Sequence, residues 1–181
     1  MIWFDWTIII MIPAILLGLI VQIRLSTTYS RYSKVQSRTG MTGYTAARRI
    51  LDAAGLRHVP IECIQGELTD HFDPRSNVLR LSNGVYNSSS VAAIGVAAHE
   101  CGHAVQHAEE YGPLKLRSAI IPITNIGSSL SIPIFFIGLL FNYTLLMNIG
   151  ILLFGLVALF QLITLPVEFN ASRRALATLE E

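Results

Sequence analysis

Charged residues are scarce in this sequence. Asp, Glu, Lys and Arg make up only 14% of its 181 residues, whereas 52% are hydrophobic and the mean hydropathy is +0.52. Soluble globular domains carry about 25% charged residues, so the composition indicates a membrane protein. The formal net charge of +1 provides no excess of positive charge for a nucleic acid, and we expect no such partner.

Cysteine is almost absent as well. The chain has two, Cys63 and Cys101, and no CxxC pair, which gives no support for a zinc site made of thiolates. Both lie in a segment predicted below to be cytoplasmic. Because that compartment is reducing, we expect no structural disulfide between them.

Lysine and arginine are missing from three apolar stretches, residues 2–23, 119–141 and 144–166. Each is long enough to cross a bilayer, which needs about 20 helical residues. The first stretch lacks the basic start and the cleavage site of a signal peptide, so we predict an uncleaved anchor instead. Only Asn142 and Tyr143 separate the other two stretches, which predicts an antiparallel hairpin.

The basic residues predict the orientation. Residues 1–5 contain no Lys or Arg, whereas six basic residues follow the first stretch before any acid, namely Arg24, Arg31, Lys34, Arg38, Arg48 and Arg49. The positive-inside rule therefore places residues 24–117 in the cytoplasm. Three crossings return the segment after Pro166 to the same side.

The cytoplasmic segment is long enough for one small domain. The stretch "TGYTAARRILDAAGL" predicts a helix, "VPIECI" and "NVLRLS" predict short strands, and "TDHFDPRSN" between them is rich in turn residues. A second helix is predicted in "NSSSVAAIGVAAHECGHAVQHAEEYG", with N-cap candidates at its start and Gly112-Pro113 after its end.

That second helix contains the pattern HExxH, at His99, Glu100 and His103. The pattern is expected by chance only about 0.006 times in a chain of this composition. Residues four apart lie on one helical face, so His99 and His103 can hold one Zn²⁺ while Glu100 acts as general base on its water. His107 lies about 6 Å further along the helix and cannot converge on the same ion.

A catalytic zinc with two histidines needs a third ligand, commonly a carboxylate. Glu109 and Glu110 lie too far along the helix, whereas Asp70 and Asp73 are available in the turn before it. Glu168 follows the third apolar stretch by two residues, on the side that the crossings require. It is the best-positioned carboxylate, and Asp70 and Asp73 remain alternatives.

The motifs "AAHECGHAVQH", "LPVEFNASRRAL" and "DHFDPRSNVLRLS" resemble the YugP-like family of bacterial membrane zinc metallopeptidases, from about Tyr44 onward. This family is similar to gluzincin membrane proteases and is often longer, with a further hydrophobic span. The resemblance implies one zinc ion, His99, His103 and Glu168 as ligands, and Glu100 as catalytic base. The gluzincin relatives commonly place an aspartate four residues after the ligand glutamate, where this chain has Ser172. Asn170, Ser172 and Arg173 are therefore the candidates for residues that orient the ligands.

Two further assignments concern the substrate. "NVLRLS" is either an ordinary sheet strand or an edge strand that pairs with an extended peptide, with Asn77, Val78, Leu79, Arg80 and Leu81 as the binding residues. His71 is a candidate for stabilising the oxyanion of the tetrahedral intermediate, although a turn histidine is more often structural.

Together these observations predict an α+β membrane protein with three transmembrane helices and a small cytoplasmic gluzincin-like metalloprotease domain, built from an active-site helix and a short edge sheet. The predicted parts are an anchor (1–23), a catalytic domain (24–118), a transmembrane hairpin (119–166) and a cytoplasmic tail with the third ligand (167–181). We expect a multi-pass protein of the bacterial plasma membrane that hydrolyses membrane-associated protein or peptide substrates. The lipid bilayer is an expected partner, and a regulatory membrane partner or an oligomer is left open. A site-2-type intramembrane protease and a non-catalytic zinc-stabilised scaffold are the alternatives, and Fe(II) is the alternative metal.

Overall fold

The computed structural model describes residues 7–180 and is mostly helical, with a small three-stranded sheet. Its helices are α1 (Thr7–Tyr32), α2 (Gly43–Ala53), α3 (Asn83–Tyr86), α4 (Val91–Ala108), α5 (Gly112–Leu140) and α6 (Thr144–Glu180). The strands are β1 (Ile61–Ile64), β2 (His71–Asp73) and β3 (Val78–Ser82). The start of the first apolar stretch, with residues 1–5, whose lack of Lys and Arg partly supports the orientation, lies outside the described residues.

Three of the described helices, α1, α5 and α6, are long and apolar enough to cross a membrane, and α4 is not among them. Helices α5 and α6 form the predicted antiparallel hairpin, joined by a short turn at residues 141–143 in which Asn142 has a positive φ of 49°. Small residues let the two helices approach closely: a Cβ at Gly150 would lie 2.8 Å from the backbone oxygen of Ser131.

Each boundary between the predicted parts of the chain falls inside a continuous helix. Helix α1 extends beyond residue 23, α5 begins before residue 119, and α6 continues through Pro166 to Glu180. Hydropathy changes along these helices, but the helical backbone continues, and in α6 it does so even at Pro166, which has no N–H to donate. The predicted tail is therefore the C-terminal part of α6, and this helical extension carries Glu168.

The two predicted soluble helices and both predicted strands are present in the structure. Thr42 caps α2 and Ser90 caps α4, each accepting a hydrogen bond from the backbone N–H three residues on. The turn-rich stretch differs from expectation, because it contains the short strand β2. This strand is only three residues long, too short to show an alternating pattern.

The sheet order is β1-β3-β2, with β1 parallel and β2 antiparallel to β3. The prediction of β3 as an edge strand is therefore wrong, because both of its sides are paired. Asn77 precedes it, Leu79 and Leu81 are fully buried, Val78 is nearly so, and Arg80 forms ion pairs with Glu62 and Asp73. A substrate peptide cannot add to β3, and β2 is the edge strand on the side of α4.

Helix α4 lies at the centre of the part of the fold that contains the sheet. It packs against α2, the sheet and α6, and its residues Ala97 and Cys101 belong to the buried core with Leu51, Leu79 and Leu81. Cys101 directs its Sγ at the backbone oxygen of Ala47 on α2, 3.6 Å away. This packing fixes which face of α4 remains for the HExxH side chains.

Candidate metal centre

The contact between α4 and α6 brings three potential ligands together. His99 and His103 come from α4, and Glu168 comes from α6. The Oε2 atom of Glu168 lies 3.3 Å from Nε2 of His99 and 3.5 Å from Nε2 of His103, and all three ligand atoms lie within 4.8 Å of one another. Of the carboxylates weighed from the sequence, Glu168 is the one that forms such a group within residues 7–180.

The two spacings between Glu168 and the histidines fit a single small cation. Zinc bonds to nitrogen and oxygen are about 2.1 Å long, so two ligands at a tetrahedral angle lie about 3.4 Å apart. Both distances from Glu168 to the imidazoles agree with that value. The donor set, two neutral nitrogens and one carboxylate, is the set that zinc hydrolases use.

The position of the ring proton on His103 also favours binding of a cation at this site. Its Nδ1 lies 3.0 Å from Oε1 of Gln106, an oxygen that can only accept, so the ring proton is on Nδ1. In the neutral ring, Nε2 then presents a lone pair to the Glu168 carboxylate, and two lone pairs facing each other repel unless a positive charge lies between them. Burial opposes protonation of His103, but the hydrogen bond with Glu168 and the charge of Glu100 outweigh it and raise its pKa. The arrangement thus attracts a proton or a metal ion.

Gln106 connects the two helices behind the metal ligands. It is fully buried, and its Nε2 donates to the backbone oxygen of Val167 and to Oδ1 of Asn170, each at 2.9 Å. Arg174 donates to the same Asn170 oxygen and to Glu109. The role of Gln106 is not predicted from the sequence; its position three residues after His103, on the same helical face, is the signal that could have indicated it.

The residues predicted to orient the ligands lie in different places. Asn170 belongs to the Gln106 network, and Ser172 places its Oγ 3.2 Å from Nδ1 of His99. Arg173 is exposed, and its side chain forms no hydrogen bond or ion pair within the described range 7–180. Its neighbour Arg174 makes the contacts instead, because only the latter lies on the face of α6 toward α4.

Arg117 is a second residue that the sequence did not reveal. Its guanidinium lies 3.0 Å from Oε1 of Glu168. One carboxylate oxygen is thus held by a fixed positive charge while the other faces the two histidines. Arg117 belongs to the first turns of α5, so the hairpin contributes to the site from both of its helices.

Glu100 lines the same cavity as the ligands, a space of about 240 Å³ closed by β2, α4, α5 and α6. Its Oε2 accepts the backbone N–H of Phe72 at 3.1 Å. Burial raises the pKa of Glu100, which moves a carboxylate toward the range in which it can accept and release a proton near neutral pH. The outer edge of β2 therefore faces Glu100.

The other candidates have separate partners. Asp70 accepts hydrogen bonds from the backbone N–H and the hydroxyl of Ser82, and Asp73 pairs with Arg80. His71 lines the cavity, but its Nδ1 donates to the backbone oxygen of Thr69 at 2.8 Å. Its Nε2 is consequently an acceptor in the neutral ring and could donate to an oxyanion only when the ring is protonated. The exposed His107 packs against Phe72.

Comparison with known proteins gives one family and one curated relative. Residues 7–181 match the model of a family described as "putative neutral zinc metallopeptidase". The chain is 48% identical over 168 residues to the "putative membrane protease YugP" of Bacillus subtilis (strain 168), an alignment that covers 93% of this chain and 75% of the relative. No solved structure matches the chain at a significant level. The chain therefore belongs to this zinc metallopeptidase family.

Proposed function

We propose that this protein is a membrane-anchored peptidase that hydrolyses peptide bonds with one zinc ion held by His99, His103 and Glu168. The observation that carries the proposal is the convergence of two imidazole Nε2 atoms on one carboxylate oxygen, at 3.3 and 3.5 Å. Membership of a zinc metallopeptidase family and the name of the curated relative support it.

Different residues of the chain have separate roles in hydrolysis. Bound zinc would polarise the scissile carbonyl and acidify a water molecule. Glu100 takes the proton from the attacking water and passes it to the leaving amine, and its contact with the Phe72 N–H keeps the carboxylate in place. Gln106 and Ser172 hold the two imidazole rings, and Arg117 holds Glu168.

Variants of two carboxylates test these roles. Glu100→Gln should keep one equivalent of zinc while losing metal-dependent peptide hydrolysis, because an amide cannot accept the proton. Glu168→Ala should lose tightly held zinc, measured by metal analysis of the purified protein. Glu110→Gln is the matched control, since this carboxylate is exposed and pairs with Lys115 outside the cavity. Wild-type turnover by Glu100→Gln would refute its role as base.

We also propose that the metal centre lies at the cytoplasmic face of the plasma membrane, with α1, α5 and α6 as the spans. The basic residues after α1 support this orientation. Cys63 is exposed and Cys101 is buried, so Cys63 can report the side. A membrane-impermeant maleimide should label inverted vesicles and not intact cells, with Cys63→Ser as the control. Labelling of intact cells would show that the metal centre lies on the opposite side of the membrane.

The alternatives make different predictions. A site-2-type protease needs the HExxH helix within the bilayer, whereas α4 is not one of the three candidate spans in the described part of the chain. A zinc-stabilised scaffold would bind zinc and cleave nothing, and it needs no buried base beside the ligands. Metal analysis also decides between zinc and Fe(II), because both accept this donor set.

A further inference from the structure

A second cavity reaches the metal centre from another direction. It is a groove of about 540 Å³ between α1, α4 and the loop that joins β1 to β2. His99 and Glu100 line both this groove and the catalytic cavity. The groove therefore borders the place where a peptide bond would be cleaved.

The walls of the groove are formed by regular helical faces. Leu25, Thr28, Tyr29 and Tyr32 follow one another at the spacing of a single face of α1. The opposite wall is the face of α4 that precedes His99, with Val91, Ala92, Gly95 and Val96. The lining is predominantly apolar, which is typical of sites that bind ligands through hydrophobic contact.

Apolar side chains are exposed at this groove without being part of a candidate span. Leu68 in the loop is 59% exposed and Val91 on α4 is 42% exposed. Leu68 lies in the loop between β1 and β2 and Val91 begins α4, so neither residue belongs to one of the candidate spans in the described part of the chain. Clustered apolar exposure of this kind marks a surface that another molecule covers.

We propose that this groove binds apolar side chains of the substrate next to the scissile bond, so that the substrates are protein segments with an apolar run beside the cleavage point. This inference rests on the proposed function. The occupant is a peptide rather than an isolated lipid chain because the groove ends at the base and a ligand of the hydrolytic centre. Since α1 forms one wall, apolar segments leaving the membrane have a direct path to the metal.

Gly95 offers a way to close the groove without disturbing the fold. It lies four residues before His99 on the same face of α4, and a Cβ built there meets no atom within 4 Å. A leucine at this position would project into the groove one helical turn from the metal ligand. Leucine is more favourable than glycine inside a helix, so the substitution adds no cost in helix propensity.

The first experiment measures binding without catalysis. The full chain is placed in lipid nanodiscs, its metal is removed with a chelator, and a fluorescently labelled peptide with a Leu-rich run is compared with its Ser-substituted counterpart. We expect the Leu-rich peptide to bind at least tenfold more tightly to the wild type, and Gly95→Leu to remove most of that difference. Ala108→Leu is the control, because this exposed residue lies on the same helix outside the groove.

The second experiment measures specificity in the zinc-loaded protein. Quenched fluorescent peptides carry Ala, Leu, Phe or Ser at the two positions flanking the cleaved bond. A hydrophobic pocket discriminates by about 10- to 200-fold for such changes, so kcat/KM for Phe should exceed that for Ser by at least tenfold. In Gly95→Leu, the preference should shift from Phe to Ala, which a general loss of activity would not produce.

The outcomes separate this inference from the proposed function. Equal binding of the Leu-rich and Ser-substituted peptides by the chelated wild type would overturn the groove assignment, whatever the chain does with zinc. An unchanged preference in Gly95→Leu would overturn it as well. Absence of any metal-dependent cleavage, together with selective binding of the apolar peptide, would refute the proposed function and leave the groove as a peptide-binding site.

Discussion

Gly102 lies between the two metal-binding histidines, at the closest approach of α4 and α6. A Cβ at this position would lie 2.7 Å from the backbone oxygen of Ala171 and 3.2 Å from its Cα. Ordinary contacts at a Cβ begin near 3.4 Å, so alanine at position 102 would have to move α6 by about 0.7 Å. Backbone atoms cannot rotate away as a flexible side chain can.

The size of the expected loss in zinc affinity follows from this displacement of α6. Glu168 precedes Ala171 by less than one helical turn, so a shift of α6 changes its distance from both imidazoles, whereas metal sites tolerate only about 0.2 Å. Overpacking costs about 1–3 kcal/mol, and each 1.4 kcal/mol is a factor of about ten in affinity. We therefore expect Gly102→Ala to weaken zinc binding about ten- to hundredfold, with a lower Tm.

The assay is competition for zinc with a chromogenic chelator on detergent-purified protein, combined with thermal unfolding. Gly95→Ala is the matched control, because it is the same substitution in the same helix at a position with open space. This control should keep the zinc affinity and gain about 1 kcal/mol in stability from helix propensity. Wild-type zinc affinity in Gly102→Ala would refute the reasoning that the close helix contact positions Glu168.

The remaining predictions concern the residues around the ligands. Gln106→Leu should weaken zinc binding about 10- to 100-fold, measured by the same competition, because His103 loses the acceptor that fixes its ring. Ser172→Ala should weaken it less, since the lost contact to His99 is longer, at 3.2 Å, and water can replace a hydroxyl at this exposed position. Arg117→Met should lower zinc affinity more than Arg117→Lys, because a lysine can still pair with Glu168 and hold its carboxylate in place; equal losses would contradict a positioning role of this ion pair. Addition of a chelator should lower the Tm of the wild type and leave that of Glu168→Ala unchanged, because only a protein that binds the metal is stabilised by it.

The HExxH pattern could be interpreted from the sequence because it is local. Helical periodicity alone places His99 and His103 on one face, and hydropathy alone predicts the three apolar helices. Counting the crossings was enough to select Glu168 as a candidate, because a helix that returns to the same side brings its following residues with it. These predictions depend on spacings along the chain rather than on packing.

The prediction of β3 as an edge strand was wrong because strand order depends on packing and not on spacings along the chain. Which strand becomes central depends on pairing between β1 and β3, which are separated along the chain by the whole of β2. The pattern of β3 itself, with apolar side chains on both faces, does not say whether its two edges are paired. The roles of Gln106, Arg117 and Arg174 were hidden in the same way, because each acts on a residue more than 45 positions away along the chain.

The sequence by itself determined the membrane class, the helices and the chemical identity of the candidate ligands, since composition and helical spacing are properties of the chain. The tertiary structure decided that α6 continues past Pro166 as one helix and that Gly102 lets it approach α4. It also decided that the carboxylate of Glu168 faces two imidazoles at about the separation that one zinc ion requires. Distances of this precision arise only when separate helices pack. Because Gly102 has no Cβ, α6 can lie close enough to α4 for Glu168 to reach the two histidines.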